Sequence, residues 1–328
     1  MLPSSVVETG AADKPPSSGG AKNGVERCCV AAGCQYESSM RVVTHSGPFH
    51  ADEVFAYALL RVFLGAQVEL QRTRDAALIA RADIAIDVGG EYDPARGRFD
   101  HHQRTYQGPL SSAGMVLNWL EHAGKLPARL AAQLRADWVD YIDAVDCGRR
   151  SPGGGLPCIS LIVATLAEQA HSPADFDARF LDAAAMCEGV LRGLCAMEHR
   201  SQEASSAVTA AMRSAEAAGS RVLVFDRHYK WKRAYFEHGG AHHASDYVLF
   251  PDEDGGWRLL GIPDEAGGFG LKRPLPAEWA GLVDDELSSV VGVVGAKFCH
   301  KNRFLAVFAS EAAANAAIRK WNLDRAPA

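Results

Sequence analysis

From Met40 onward, apolar and polar positions fall into short β-branched runs separated by stretches of helical period. "MRVVTH" predicts a strand that ends in polar residues, and "DEVFAYALLRVFL" predicts a helix behind it. "QVELQRTR" and "ADIAIDVGG" predict two more strands around the short helical stretch "DAALIARA". The βαβαβ order implies a parallel sheet with its crossover helices packed beside it.

Helical patterns dominate the middle of the chain. "SSAGMVLNWLEHAG" begins with serines able to cap a helix and stops at Gly124. "LPARLAAQLRADWVDYIDAVDCG" has Pro127 near its start and Gly148 after its end. "RRSPGGGLP" reads as a loop, and Ile159 to about Gly219 is Ala-rich with a helical pattern. The strands "RVLVFD", "DYVLFP" and "WRLLGIP", with a closing helix in "SEAAANAAIRKW", then make a second domain. The expected division is an N-terminal extension at 1–40, an α/β domain with a helical connector at 41–219, and a smaller α+β domain at 220–328.

Composition narrows the function classes. Of 328 residues, 48% are hydrophobic and 23% charged, as in an ordinary globular protein. No apolar run approaches the ~20 residues that cross a bilayer, so no membrane partner is expected. A net charge of -6 argues against wholesale coating of nucleic acid and leaves room for a local basic cleft. The extension is rich in Ser, Gly, Pro and Ala and is expected to be disordered; its Cys28, Cys29 and Cys34 lack a clear fourth ligand for zinc. No CxxC pair occurs among the eight cysteines, which reads as a reducing, intracellular compartment. The pattern assigns no oligomeric state.

Acids and histidines gather where the strands end. "THSGPFHADE" carries His45, His50 and Asp52; "IDVGGEYD" carries Asp87 before a double glycine; "FDHHQ" carries Asp100, His101 and His102. In an open parallel sheet the carboxyl ends of the strands are where ligands bind. Further on, Asp137, Asp140, Asp143 and Asp146 recur every third residue of a helix, Asp137 and Asp140 being expected on its solvated face. Asp146 falls in the last turn, where the helix dipole disfavours an anion by about 0.3–1 kcal/mol unless a cation lies near. Taken singly, His45 is a loop residue, Asp52 a first-turn acid and Asp87 a turn residue. Together they offer mixed imidazole and carboxylate ligands of the kind that suit manganese, zinc or iron, in numbers sufficient for two ions.

"THSGPFHADE", "DVGGEYDPARGRFDHHQ", "SSAG" and "DAVDCG" resemble the Myg exonuclease family, within the DHH phosphoesterase superfamily. The resemblance runs from residue 41 to about 320 and includes "RPLPAEWAGL" and the histidine of "GAKFCH". It implies a parallel-sheet DHH-like phosphoesterase domain followed by the smaller α+β domain, two divalent ions, most simply Mn2+, and two domains that close around a substrate. It further implies a 3'-to-5' exonuclease acting on RNA, and a place in the nucleus, nucleolus or mitochondrion. Carried over residue by residue, His45, His50 and Asp87 would hold one ion, and Asp52, His101 and Asp146 the other, with Asp87 bridging. Asp143 is the alternative to Asp146. Asp100 would orient His101, and His102 would face the scissile phosphate.

The chain also departs from the superfamily. Its His300 is followed by "KNRFLAVF", without the glycines that many relatives carry there. His300 stays a candidate for gripping the nucleotide, beside the basic stretch "RHYKWKRAYFEH" with Arg227, Lys230, Trp231, Lys232 and Arg233. That stretch could meet phosphates and stack a base, or be a solvated hairpin. The expected function is a metal-dependent phosphodiesterase acting on single-stranded RNA or an oligonucleotide. A hydrolase of small phosphate compounds and a metal-stabilised binding protein without activity are the alternatives.

Overall fold

The computed structural model describes residues 39–65, 67–153 and 158–327, so the N-terminal extension and its cysteines lie outside the described residues. The chain divides into two compact units with the boundary between Arg192 and Gly193.

In the first unit, β1 (Met40–Thr44), α1 (Ala51–Leu64), β2 (Val68–Arg72), α2 (Ala76–Arg81) and β3 (Ile84–Ile86) follow one another in the βαβαβ order. Two further strands, β4 (Tyr92–Asp93) and β5 (Arg98–Phe99), complete a sheet of order β2-β1-β3-β5-β4. Met40 lies opposite Val68, Val42 opposite Ile84 and Ala85 opposite Arg98, all in parallel register. β4 departs from the all-parallel expectation. A 3-10 turn at Pro94–Arg96 reverses the chain, and β4 pairs antiparallel with β5 at the sheet edge. Because β1, β3 and β5 run the same way, the residues just after each of them leave from one edge of the sheet.

α1 is buried on nearly every side, from Ala51 to Leu60 without a break. It packs against β2, β3, α3 (Ser112–His122), α5 (Asp140–Asp146) and α6 (Ile159–Ala167), which explains why its sequence is apolar almost all round. The helix read from "LPARLAAQLRADWVDYIDAVDCG" is α4 (Ala128–Leu134) followed by a π-helical turn at Arg135–Val139 and then α5. The extra residue of that turn re-phases α5 against α4. Asp137 and Asp140 are exposed, as expected, while Asp143 is buried.

Asp143 caps a helix from a distance. Its Oδ1 accepts from Ser111 N at 3.0 Å, Ser111 Oγ at 2.7 Å and Gly114 N at 3.1 Å, so it holds the N-terminus of α3. An anion there is favoured by the helix dipole. A Cβ on Gly114 would overlap the Asp143 carboxylate. Alanine ordinarily improves a helix by about 1 kcal/mol over glycine. Here the overlap should dominate, and Gly114→Ala should destabilise the chain by about 1–3 kcal/mol, read as a lower urea midpoint with an unchanged slope. A raised midpoint would show that α5 can give way.

A single helix, α7 (Pro173–Ala218), carries the chain from the first unit into the second, with Pro173 at its first position. The second sheet, of order β6-β7-β8-β10-β9, begins at β6 (Val222–Val224), close to where the sequence pattern changes. β6 and β7 (Tyr247–Pro251) are parallel; β8 (Trp257–Gly261), β10 (Leu305–Phe308) and β9 (Ala296–Cys299) continue antiparallel. Alternate residues of β7 serve two cores. Tyr247 and Leu249 pack with Trp279, Phe308 and the closing helix Glu311–Lys320, whereas Val248 and Phe250 pack with Trp231, Tyr235 and the end of α7. No helix among the described residues is long and apolar enough to cross a membrane.

Candidate metal centre

Three strand ends deliver the acids and imidazoles to one edge. His45 follows β1, Asp87 follows β3, and Asp100, His101 and His102 follow β5. Asp52 and Glu53 stand in the first turn of α1, where acids suit the positive end of the helix, and Asp146 is the last residue of α5. Asp52 and Glu53 are 0% exposed, Asp87 4% and Asp100 3%. So much buried carboxylate is unstable without compensating positive charge.

The two oxygens of Asp87 face opposite ways. Oδ2 lies 3.3 Å from His45 Nε2, while Oδ1 lies 3.4 Å from His101 Nε2 and 3.4 Å from His102 Nδ1. Asp87 has φ 55, a left-handed conformation that aspartate tolerates better than most residues. Gly89 and Gly90 come next with φ 102 and 66, and Gly90 N donates to Asp100 Oδ2 at 2.6 Å. His101 Nε2 lies 2.9 Å from Asp146 Oδ2 and 4.0 Å from Asp52 Oδ2. Ser112 ties these parts together: its N–H donates to Asp52 Oδ2 at 3.3 Å, and its hydroxyl, which donates to Phe99 O at 2.9 Å, lies 3.4 Å from Asp87 Oδ1.

These residues form three overlapping groups whose ligand atoms lie within 4.8 Å of one another. They are Asp87, His101 and His102; His50, Asp52, Glu53 and Asp87; and Asp52, His101 and Asp146. The last is the set expected for one ion. In the other expected set, His45, His50 and Asp87, the imidazoles are placed differently. His50 is exposed, belongs with Asp52, Glu53 and Asp87, and lies 4.0 Å from Asp146. His45 adjoins Asp87 and, at 3.1 Å, Glu53, outside the three groups. Asp52 Oδ1 is buried without any hydrogen-bond partner. An orphaned carboxylate oxygen among imidazoles and further carboxylates fits a divalent cation, which would satisfy it.

The charges respond accordingly. Burial opposes protonation of His45, yet Asp87 and Glu53 outweigh it and push its pKa up to about 10. Burial likewise opposes protonation of His101, and Asp146 and Asp87 push it up to about 10. Burial, with repulsion from Asp87, Glu53 and Asp146, raises Asp52 well above the usual carboxylate range. Burial would raise Asp87 too, but His101 and His45 hold it below that range. Protons on imidazoles thus balance the acids, as cations would.

Other expected positions need correction. Asp143 is committed to α3, so Asp146 alone of the pair joins the groups. Asp100 Oδ1 engages His102 rather than His101, at 3.0 Å from its N and 2.9 Å from its Nδ1, because the local turn brings that neighbour onto the carboxylate. His101 Nδ1 instead faces Cys147 Sγ at 3.9 Å. Trp231 is 2% exposed and belongs to the second unit's core, so it offers no face to a base. The basic stretch is neither hairpin nor wholly free surface: Trp231–Glu237 is a helix, α8. Arg227 pairs with Glu203 at 3.0 Å and Arg233 with Glu237 at 2.7 Å, while Lys230 and Lys232 are exposed. His300 is half-buried in the turn between β9 and β10, its ring 4.3 Å from that of Phe304. Sequence reasoning missed Glu53 and Ser112. Glu53 had a signal, since an acid three residues after His50 makes a capping box, and its carboxylate does accept from His50 N at 3.0 Å.

A mainly parallel sheet presents clustered acids and imidazoles at one edge, in an α/β unit followed by a second α+β unit, and the family match makes the class phosphoesterase. The chain belongs to the MYG1 exonuclease family, whose model, described as "Uncharacterised protein family (UPF0160)", matches residues 41–320. It is 37% identical over 271 residues to the MYG1 protein of Chlamydia muridarum, covering 82% of this chain and 92% of that one. It is 33% identical over 306 residues to the MYG1 exonuclease of Homo sapiens, covering 81% of each. Among solved structures, RecJ from Thermus thermophilus in complex with Mn2+ aligns over 91% of this chain and 55% of its own, at 14% identity and a TM-score of 0.27, a likeness too loose to argue from.

Proposed function

We propose that this chain is a metal-dependent phosphodiesterase, working as a 3'-to-5' exonuclease on single-stranded RNA with two divalent ions, manganese by preference. The observation that carries the reading is Asp87, whose two oxygens face separate imidazole sets at 3.3 and 3.4 Å, as a shared ligand requires. The name exonuclease borne by the human relative supports nucleic acid as the substrate. Asp52, His101 and Asp146 would hold one ion; Asp87 and His50 would hold the other, with Glu53 and His45 beside them. Bound there, divalent ions supply positive charge for the phosphate and the leaving oxygen, and lower the pKa of an attacking water.

The chain's own groups do the positioning. Asp100 fixes the imidazole of His102 through Nδ1, and that side chain is 63% exposed, so its other edge is available to a phosphate oxygen or a departing hydroxyl. Ser112 holds Asp52 and Asp87 in a fixed relation from a buried position. On the second unit, Lys230, Lys232 and His300 are the substrate contacts we assign, with Arg227 and Arg233 contributing less because each already has an acid.

End-labelled RNA tests this reading. With manganese, a 3'-labelled strand should release its label at once as a mononucleotide, while a 5'-labelled strand shortens stepwise. A chelator should stop both reactions without unfolding the protein. Stepwise shortening of the 3'-labelled strand would reverse the polarity, and turnover in the presence of chelator would remove the metal.

A further inference from the structure

The acids that suit a divalent cation repel the phosphate that the reaction needs, so a cation at the rim should accompany them. Four residues of the chain, from Arg72 to Asp75, decide where it stands. The strand β2 ends at Arg72, and Thr73 N donates to Thr44 O at 2.8 Å, so parallel pairing with β1 continues to the edge where His45 leaves. Arg72 is held there through both terminal nitrogens, its Nε alone being buried without a partner. It donates to Gly47 O at 2.7 Å, pairs with Asp177 at 3.1 Å and lies over the rings of Phe49 and Phe180. Asp75 is engaged as well, since its carboxylate caps α2 by accepting from Ala77 N and Leu78 N at 2.7 and 3.2 Å.

Arg74 lies between these two and shares neither fate. It is exposed, and among the described residues no carboxylate comes within ion-pair distance of it, although Asp75 adjoins it in sequence. Its Nη2 lies 3.2 Å from His45 Nδ1, and the other nitrogen of that ring lies 3.3 Å from Asp87. One imidazole therefore separates an unpaired guanidinium from the carboxylate with two faces. Arg149 donates to Pro109 O and Arg150 lies over the ring of Tyr141, while Arg104, two residues beyond His102, is exposed.

We propose that Arg74 is a substrate-binding residue of the first unit that grips a phosphate of the nucleic acid strand beside the candidate metal centre. The inference rests on the phosphodiesterase reading and adds to it a grip on the first unit, independent of Lys230, Lys232 and His300. A guanidinium presents a planar fork whose two parallel N–H donors meet two phosphate oxygens at once, a fixed geometry that an ammonium lacks. With Asp75 turned to capping α2, the fork has the His45 ring at one nitrogen and no carboxylate among the described residues.

The test compares the unsubstituted protein with Arg74→Ala and Arg74→Lys. Hydrolysis of a ten-nucleotide RNA with manganese should show KM raised about tenfold or more in Arg74→Ala, with a smaller change in kcat. The dependence of log(kcat/KM) on log salt should become shallower by about 0.7, the share of one single-strand phosphate. Arg74→Lys should keep the wild-type salt slope while recovering only part of the affinity. Manganese binding, followed by the electron spin resonance of the free ion, should be unchanged in both. Anisotropy of the labelled RNA with ion-free protein gives a second measure, in which Arg74→Ala should bind about tenfold more weakly. Wild-type KM, salt slope and RNA affinity in Arg74→Ala would overturn the inference. So would loss of manganese binding in that variant, which would make Arg74 a support for His45. A wild-type protein that binds the RNA through Arg74 yet hydrolyses nothing would sink the phosphodiesterase reading and leave the phosphate grip standing.

Discussion

Asp87→Asn should reduce manganese-dependent RNA hydrolysis by about 10^3-fold or more, since single members of a catalytic unit commonly account for that much. Asparagine is the informative replacement. Asp87 sits at φ 55, where asparagine is nearly as comfortable as aspartate but alanine adds roughly 1–2 kcal/mol of backbone strain. The variant therefore keeps the turn after β3 and changes the charge between His45 and His101. Manganese stoichiometry should fall from two ions towards one or none, and circular dichroism should stay as in the wild type. His101→Ala, which removes a partner of Asp146 and Asp87 but not the shared carboxylate, should also abolish turnover while the fold survives. Near-normal hydrolysis by Asp87→Asn would show that no ion depends on that carboxylate, and the shared-ligand proposal would have to be withdrawn.

Much of this centre was legible because its parts are local in sequence. A β-branched run ending in acid or imidazole is a strand end, and several such ends in a parallel sheet meet at one edge, which is how His45, Asp87 and His101 come together. The roles of Asp143 and Asp146 are not local. Three residues apart on one helix, they point into different surroundings, and only the distant Ser111 and Gly114 claim Asp143. Glu53 was hidden behind an ordinary explanation, because an acid in the first turn of a helix needs no further reason. Trp231 shows the opposite error. Trp231, Ala234 and Tyr235 recur at helical spacing and are all buried, but the lysines and arginines between them drew the reading towards a nucleic-acid surface. The strands β4 and β5 span two residues each, too short for any alternation to register.

In the ion-free protein, thermal stability should fall as pH rises from about 6.5 to about 10, and manganese should reverse the trend. His45 and His101 are each held up to about 10 by neighbouring carboxylates that outweigh their burial. A group whose folded-state pKa lies above its unfolded value of about 6.5 contributes stability that is fully present below 6.5 and is lost as pH rises through the folded value. Asp52, raised by burial and by its acidic neighbours, acts in the same direction, since ionising it adds a charge to a buried acidic cluster. A loss of even about 2 kcal/mol would lower the melting midpoint of a domain this size by roughly 4–8 °C. Divalent ions bind the deprotonated imidazoles, so their affinity should rise with pH over the same interval, and each binding event near neutrality should release protons. About two protons per chain should appear when manganese is added to weakly buffered protein at pH 7.5 under argon, one from His101, which would become a ligand, and one from His45, whose protonated form the added positive charge beside it would disfavour. Asp87→Asn should release fewer, because it weakens the pull on both rings. A midpoint indifferent to pH, together with no proton release, would mean that His45 and His101 are already neutral, and that the buried acids are balanced by some other charge.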